Sequence, residues 1–320
     1  MARKLRVQFP GAIYHVMNRG DRREPIFADD QDRRIFLSTL ADACEKTDWQ
    51  IHAWCLMRNH FHLVAETPRA NLVDGMKWFL GTYTLRFNRR HREFGHLFSG
   101  RYTALMVEGS GNGYLKAVCD YVHLNPVRAS LLDPAQPLQT YQWSSYPLYL
   151  QDASRRPNWL RVDRLLGEWG IPMDTPAGRE QFAARLETRR AAESPGDFQP
   201  PPHGWCAGSD QFRQDLLKQV QHLAGPKHRE EVRQSAQAKA ERLVQEELKA
   251  LNWSELDLQG RRKGDARKLL IAARLRRETT MTLEWIADRL HMGAPTYVAH
   301  LLYQHEQKDS NETNNAKTLF

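Results

Sequence analysis

The sequence predicts an α+β fold followed by a smaller all-α domain. Strand-like and helix-like segments alternate over residues 1–150 in the order β-α-β-β-α-β-α. That order is typical of a ferredoxin-like (RRM-like) antiparallel sheet with helices on one face. Helical periodicity with few β-branched residues returns over residues 210–307. At 320 residues the chain is long enough for two domains.

Hydrophobic periodicity defines the elements of the first domain. Apolar residues at helical spacing, such as Phe36 and Leu40, predict amphipathic helices, and short apolar runs between turn residues predict strands. Arg58 and Asn59 are predicted to form a tight antiparallel turn, and Asn125–Pro126 to end or kink a helix. In chain order we predict a strand over 12–17, a helix over 30–47, strands over 51–57 and 60–65, a helix over 72–87, a strand over 97–107 and a helix over 114–124.

The predicted topology has consequences for the rest of the chain. Its first and third strands are central, so residues 60–65 should lie in the middle of the sheet. Residues 151–209 are Arg- and Pro-rich and weakly periodic, which predicts a linker. The polar tail over 308–320 is predicted to be disordered.

The charge balance favours a polyanionic partner. Lys and Arg exceed Asp and Glu by eight, and the pI is about 9.4. Nucleic acid is the leading candidate, ahead of an anionic membrane surface. The four cysteines contain no C-x-x-C pair, which argues against a disulfide scaffold or a cysteine zinc site and fits a reducing cytoplasm. No run of 18 apolar residues and no secretory signal is present, so we expect a cytoplasmic, nucleoid-associated protein without membrane contact.

Two histidines in a predicted central strand are the first candidate site. Strand periodicity places His60 and His62 on the same face, where two imidazoles can converge on one cation. Spacing alone leaves ordinary half-buried histidines as the default interpretation.

A tyrosine in a predicted helix favours a functional interpretation of the histidine pair. Tyr121 and Asn125 lie four residues apart on one helix face, so a phenol and an amide can point together at the histidine pair. Taken alone, Tyr121 is more often a packing residue than a nucleophile. The combination is what metal-assisted attack of a phenol on a phosphodiester requires.

At this point the sequence resembles the single-tyrosine HUH transposases, in particular the REP-associated tyrosine transposases. The resembling stretches follow the family's order and are Tyr14–Val16 with Arg19–Gly20, Cys55–Leu63, Gly95–Tyr102, Tyr121–Ala129 and Trp143–Tyr146. The resemblance implies that His60 and His62 are metal ligands, that Tyr121 is the nucleophile and that Asn125 completes the metal shell. It also implies cleavage and rejoining of single-stranded or hairpin DNA through a 5′-phosphotyrosine, with Mg²⁺ or Mn²⁺.

The sequence departs from the family pattern at two positions. Arg58 stands where proline is usual, and Ser130 where glycine is usual. Neither is a predicted ligand or the nucleophile. Because imidazole suits Mn²⁺ and later metals better than Mg²⁺, chemistry alone favours Mn²⁺.

Several side chains are candidates for contacts with DNA. Tyr14, Phe98 and Tyr102 are candidates for base stacking, with core packing as the alternative. Basic residues in or beside the motifs can hold phosphates or remain solvated surface charges, and these are Arg19, Arg58, Arg101, Lys116 and Arg128.

The C-terminal domain contains a segment that resembles a helix-turn-helix. A helix over 282–290 with a threonine cap and a helix over 294–303 flank the turn His291–Gly293. Because the second helix carries no Lys or Arg, we predict phosphate contacts from neighbouring arginines, namely Arg274, Arg276, Arg277 and Arg289. A helical hairpin without a DNA role matches the same pattern.

Three functional hypotheses therefore stand. The first is a REP-associated transposase that acts as a monomer or a homodimer. The second is a replication or relaxation HUH endonuclease, and the third is a catalytically silent DNA-binding regulator that uses the C-terminal helices.

Overall fold

The computed structural model describes residues 7–133, 135–192, 206–223 and 226–305, and side chains in those ranges outside 218–236. The chain forms two compact units, Met1–Gly225 and Pro226–Phe320. The predicted tail over 308–320 lies outside the described residues.

A five-stranded sheet forms the centre of the first unit. Its order is β2-β3-β1-β4-β5, so β1 and β3 are central, as the sequence predicts. The first four strands are antiparallel, and the two-residue β5 adds in parallel to β4. The strands are β1 (Ala12–Arg19), β2 (Gln50–Leu56), β3 (His60–Thr67), β4 (Thr103–Val107) and β5 (Cys206–Ala207).

The helices of the first unit lie between and after these strands. They are α1 (Asp30–Thr47), α2 (Leu72–His91), α3 (Tyr114–Arg128), α4 (Tyr146–Tyr149), α5 (Asp163–Glu168), α6 (Pro176–Ala192) and α7 (Asp210–Leu223). Strand β4 begins six residues later than predicted. The preceding segment instead forms a loop that bridges Phe98 to Gly20.

Helices cover both faces of the sheet, which corrects the prediction that they lie on one face. Val16 points to the core under α1 and α2, with Phe36 and Phe79. Val64 points to the opposite core, which also holds Val122 of α3. The α+β class is confirmed, and the second face is covered because α3 carries an apolar stripe of its own.

Helix α3 continues past Asn125 to Arg128, so of the two predicted outcomes, an end or a kink, the structure contradicts the end. Pro126 lies inside the helix, which continues to Arg128. A proline removes one backbone donor, and this close to the helix end the loss affects only the last turn. The Arg128 guanidinium also donates to the carbonyl of Tyr121, 3.1 Å away.

The predicted linker over 151–209 is largely part of the first unit, which corrects that prediction. Helices α5 and α6 bury Leu165, Phe182 and Leu186 in the same core as α3. The division between units falls at Gly225, later than the predicted boundary at 209. The sequence hides this packing because few apolar residues are spread among many arginines. Residues 193–205 lie outside the description.

The second unit is all-α, as predicted. Its helices are α8 (Pro226–Ala250), α9 (Glu255–Gly260), α10 (Ala266–Glu278), α11 (Leu283–Arg289) and α12 (residues 295–305). The hydroxyl of Thr282 accepts from the backbone N–H of Trp285 and caps α11. Ile271, Ile286 and Val298 belong to its core, so the turn between α11 and α12 is held from both sides. None of the described helices combines the length and the apolar composition that crossing a bilayer requires.

Candidate active site

His60 and His62 lie on the face of β3 that α3 covers. Their ring centroids are 5.1 Å apart. On the neighbouring strand β1, Arg19 pairs in register with His60 and Met17 with His62. Strand alternation therefore brings the two imidazoles and Arg19 to one face of the sheet, as the sequence predicts.

Each ring is fixed through its Nδ1 atom. His62 Nδ1 lies 3.0 Å from the Nε2 of His15, and the two rings stack. His60 Nδ1 lies 2.8 Å from the Oδ1 of Asn59. These contacts leave the Nε2 of His60 and of His62 as the atoms available to a ligand.

Both rings are neutral at pH 7. Burial, assisted by the charge of Arg19, lowers the pKa of His60 to about 4. Burial and the neighbouring His15, His60 and Arg19 lower the pKa of His62 well below its usual value. A neutral imidazole is the form that binds metals.

Tyr121 extends from α3 over these histidines. The centroid of its ring lies 5.5 Å from that of His62 and 5.7 Å from that of His15, both edge-on. Burial raises the pKa of Tyr121, while Arg128 and a hydrogen bond with Asn125 act in the opposite direction. The phenol is therefore protonated at neutral pH, and Arg128 and Asn125 favour its ionised form.

Two arginines give this site its positive charge. The Arg128 guanidinium lies over the Tyr121 ring, 5.1 Å from its centroid. The Nε of Arg19 is buried and has no hydrogen-bond partner among the described residues. A buried, unsatisfied guanidinium nitrogen is costly unless an anion occupies the site, so Arg19 is suited to a phosphate.

The site contains an incomplete set of metal ligands. Within the described ranges, no group of three or more His, Cys, Asp or Glu side chains is arranged to hold a metal ion. The buried Nδ2 of Asn125 has no hydrogen-bond partner among the described residues, and as an N–H donor it suits a phosphate oxygen; a metal contact of Asn125 would use its Oδ1. The two oriented neutral imidazoles fit an open metal site that oxygen ligands, such as an amide oxygen, water and a phosphate oxygen, would complete.

Asp120 fastens α3 to the segment predicted as a linker. Its carboxylate is fully buried and accepts from Arg189 of α6 at 2.5 Å and from the Trp169 indole at 3.2 Å. Lys116 lies 3.5 Å from the same carboxylate and over the Trp169 ring. The residue next to Tyr121 is therefore held by α6 and the loop after α5.

The remaining predicted DNA contacts in the first unit fall into three groups. Arg58 and Arg101 are exposed and available. Lys116 is engaged with Asp120, as described above. Tyr14 is only 1% exposed and lies in the core under α1 and α2, which contradicts a stacking role. Phe98 and Tyr102 belong to that same core.

The arginines predicted for the second unit are mostly paired within the protein. Arg289 forms ion pairs with Glu241 at 2.6 Å and Glu255 at 2.7 Å. Arg274 pairs with acidic residues of α8 and α10, namely Glu246, Glu247 and Glu278. Arg276 is half-buried and Arg277, which pairs with Glu278, is largely exposed. Contacts of these four with DNA stay predictions.

The sequence analysis missed His15. The structure stacks it on His62 and brings it to Tyr121, and burial lowers its pKa to about 4. Its place on a central strand beside the histidine pair was a usable signal, because strands β1 and β3 pair antiparallel through this region.

Comparisons with known proteins find one family model that matches part of the chain. Residues 8–125 match the family model described as transposase, IS200-like. This region, less than half of the chain, is similar to the IS200-like transposases. It contains strands β1 to β4 and the four residues that the sequence resemblance assigns to the site, His60, His62, Tyr121 and Asn125.

One solved structure similar to the chain is a REP-associated tyrosine transposase bound to a REP hairpin. The match has 13% sequence identity and a TM-score of 0.39, and it covers 48% of this chain and 87% of the other. No curated protein matches the chain. The region matched by the family model ends within α3, so α4 to α12 lie beyond it.

Proposed function

We propose that residues 8–125 form a transposase domain, which nicks and rejoins single-stranded or hairpin DNA through a covalent 5′-phosphotyrosine at Tyr121. One observation carries the proposal. The Tyr121 ring lies edge-on to His62 and His15 within one buried site that also holds Arg19. A phenol beside neutral imidazoles and an unsatisfied guanidinium suits attack on a phosphodiester.

The proposed cleavage step uses the side chains on the face of the sheet that α3 covers. The bond between the Tyr121 oxygen and phosphorus forms while the bond from phosphorus to the 3′ oxygen breaks, and the phenolic proton passes overall to the released 3′-hydroxyl. Arg128 and Asn125 favour the ionised phenol, and Arg19 is placed to balance charge on the phosphate. The covalent phosphotyrosine conserves the energy of the bond, so the 3′-hydroxyl of another strand end can reverse the step without ATP.

We further propose that His60, His62 and Asn125 hold Mn²⁺ or Mg²⁺. A bound divalent ion would withdraw charge from the scissile phosphate and orient it. The protein's own part is to fix both imidazoles through His15 and Asn59 and to keep them neutral. The imidazole donors favour Mn²⁺.

The proposed substrate class is a DNA hairpin with an adjacent single strand. The solved relative is bound to a REP hairpin, and the sequence motifs resemble those of REP-associated transposases. The match to the IS200-like family supports DNA transposase chemistry for residues 8–125.

A covalent-adduct assay tests the proposal. The full chain is incubated with Mn²⁺ and labelled hairpins carrying single-stranded flanks, and adducts are separated on a denaturing gel. Tyr121→Phe should abolish the adduct while hairpin binding stays within about twofold, because one hydroxyl is lost with little change in volume or charge. Tyr114→Phe, two helical turns earlier on α3, is the matched control and should keep the adduct. A normal adduct from Tyr121→Phe would contradict the assignment.

A further inference from the structure

A tight turn beside the active site has an unusual backbone. Between β1 and α1, residues Asp21–Arg23 form a single 3₁₀ turn. Arg22 and Arg23 both lie in the left-handed region, with φ of 50° and 65°. Two consecutive residues other than glycine rarely adopt this conformation, so neighbouring groups must enforce it.

Contacts on both sides of the turn enforce it. A Cβ at Gly20 would lie 2.1 Å from the carbonyl oxygen of Glu24, so only glycine fits where the turn begins. The Asn59 Nδ2 donates to the carbonyl of Arg23 at 3.0 Å. The backbone N–H of Ile26 donates to the carbonyl of Arg58 at 3.1 Å. The turn is thereby fastened to the turn between β2 and β3.

The same asparagine also holds a predicted metal ligand. While its Nδ2 holds Arg23, its Oδ1 lies 2.8 Å from the Nδ1 of His60. One amide side chain therefore connects the strained turn to the imidazole of the active site. Movement of the turn would be transmitted to His60 through two hydrogen bonds.

The two turns together present three exposed arginines. Arg22, Arg23 and Arg58 are all exposed, and none forms an ion pair with another residue in the part of the chain described. Elsewhere in this unit arginines are commonly paired, as Arg90 is with Asp29 and Asp32. Asp21 and Glu24 flank the first two arginines, so the two turns carry three positive and two negative side chains and a net formal charge of +1. The three exposed guanidinium groups have no carboxylate partner in the described part of the chain and fit a phosphate backbone.

We propose that Arg22, Arg23 and Arg58 form a phosphate-binding site for the single-stranded DNA that flanks the phosphodiester at Tyr121. Asn59 is the positioning residue, because it holds both the arginine turn and His60. This inference rests on the proposed function for its choice of ligand. It adds the site that holds the flanking strand and the residue that couples this site to His60.

Binding of labelled single-stranded DNA to the full chain over a salt series tests the site. The triple variant Arg22→Gln, Arg23→Gln, Arg58→Gln keeps the side-chain length and removes three charges. Each phosphate contact contributes about 0.7 to the slope of log affinity against log salt for single strands, so the slope should fall by about two units. The affinity at low salt should fall by about tenfold or more.

Matched variants separate this site from net charge and from misfolding. A control variant removes three charges from exposed arginines elsewhere in the unit, by Arg34→Gln, Arg89→Gln and Arg155→Gln. Its salt slope should stay within about half a unit of the wild-type slope. Replacing the three site arginines by lysine should retain most of the slope. An unchanged slope in the glutamine variant, or an equal loss in the control, would overturn the proposal.

The role of Asn59 has a separate readout. Asn59→Ala removes no charge, yet it should reduce the salt slope by about one unit, because the arginines lose their fixed arrangement. A wild-type slope would remove Asn59 from the proposal. If the wild-type protein forms no adduct but the salt slopes change as expected, the proposed function fails and the binding site stands.

Discussion

At the scale of single residues, the site depends on how each imidazole is oriented. His62 and His60 use Nδ1 for contacts with His15 and Asn59, so the direction of each Nε2 is set by a neighbour. Such partners orient metal-binding histidines in general, and their loss typically costs about 10–100-fold in affinity or activity. The pair is therefore a preformed feature of strand β3.

Removing a predicted imidazole ligand should reduce adduct formation more than removing the amide of Asn125. We expect His60→Ala and His62→Ala each to reduce adduct formation by more than about 100-fold, and Asn125→Ala by less, because water can replace an amide oxygen but not an imidazole. Excess chelator should abolish the adduct in the wild-type protein, and Mn²⁺ should restore it. The gel assay measures both effects, with the exposed His300→Ala as control. Undiminished cleavage in chelator would contradict the metal assignment.

Residues with distinctive spacing can be predicted from the sequence as candidates, whereas residues placed by strand pairing cannot. His60, His62 and Tyr121 were predicted from strand and helix periodicity. His15 was not, because its role follows from the β1–β3 register, in which Met17 lies opposite His62. Tyr14 was misjudged for the same reason, since the register turns it to the core on the other face.

At the scale of elements, the segment after α4 has a structural role that its composition hides. Arg189 of α6 and Trp169 both contact the buried carboxylate of Asp120, beside the proposed nucleophile Tyr121. Arg164 and Arg161 reach Glu66 at the end of β3. Charged side chains in this segment thus serve packing, whereas composition alone suggested a solvated linker.

Glu66 gives this packing a testable pH dependence. Burial raises its pKa, but the hydrogen bonds from His52 and Arg164 outweigh that effect and lower the pKa to about 2. A carboxyl whose pKa is depressed in the folded state stabilises it above the unfolded pKa of about 4.5, and this stability is lost as pH falls towards 2. The contribution is on the order of 3 kcal/mol at most.

Chemical denaturation between pH 2.5 and 7 measures this contribution. Glu66→Gln should lower the free energy of unfolding at pH 7 and flatten its decline between about pH 4.5 and 2.5. Asp163→Asn, at an exposed carboxylate that also pairs with Arg161, is the control and should have a smaller effect. Parallel pH curves for wild type and Glu66→Gln would show that Glu66 is not the group responsible.

At the scale of the whole molecule, the boundary between the two units lies further along the chain than the sequence predicts. Strand β5 and helix α7 belong to the first unit, where Cys206 and Leu216 enter the core under α1 and α2. Short elements far along the chain are hard to predict, because a two-residue strand has no periodicity. Their place in the sheet depends on pairing with β4.

Truncation distinguishes the two boundaries. A chain ending at Gly225 should fold and form the Tyr121 adduct, since every proposed site residue and the β5–α7 packing are retained. A chain ending at Ser209 should unfold more readily, because it loses Leu216 from a core in which large-to-small changes alone cost about 2–5 kcal/mol. Thermal unfolding and the adduct assay measure both outcomes. Equal stability of the two truncations would contradict the later boundary.

The same truncation measures what the second unit adds to DNA binding. Arg274 and Arg289 are already paired with glutamates, so few of its positive charges are available to phosphates. Removing the unit should therefore lower the salt slope for hairpin binding by only about one to two units, fewer than the four arginines would give if all touched phosphate. A drop of about four units would mean that DNA breaks these ion pairs on binding. An unchanged slope would assign α8 to α12 to contacts other than DNA.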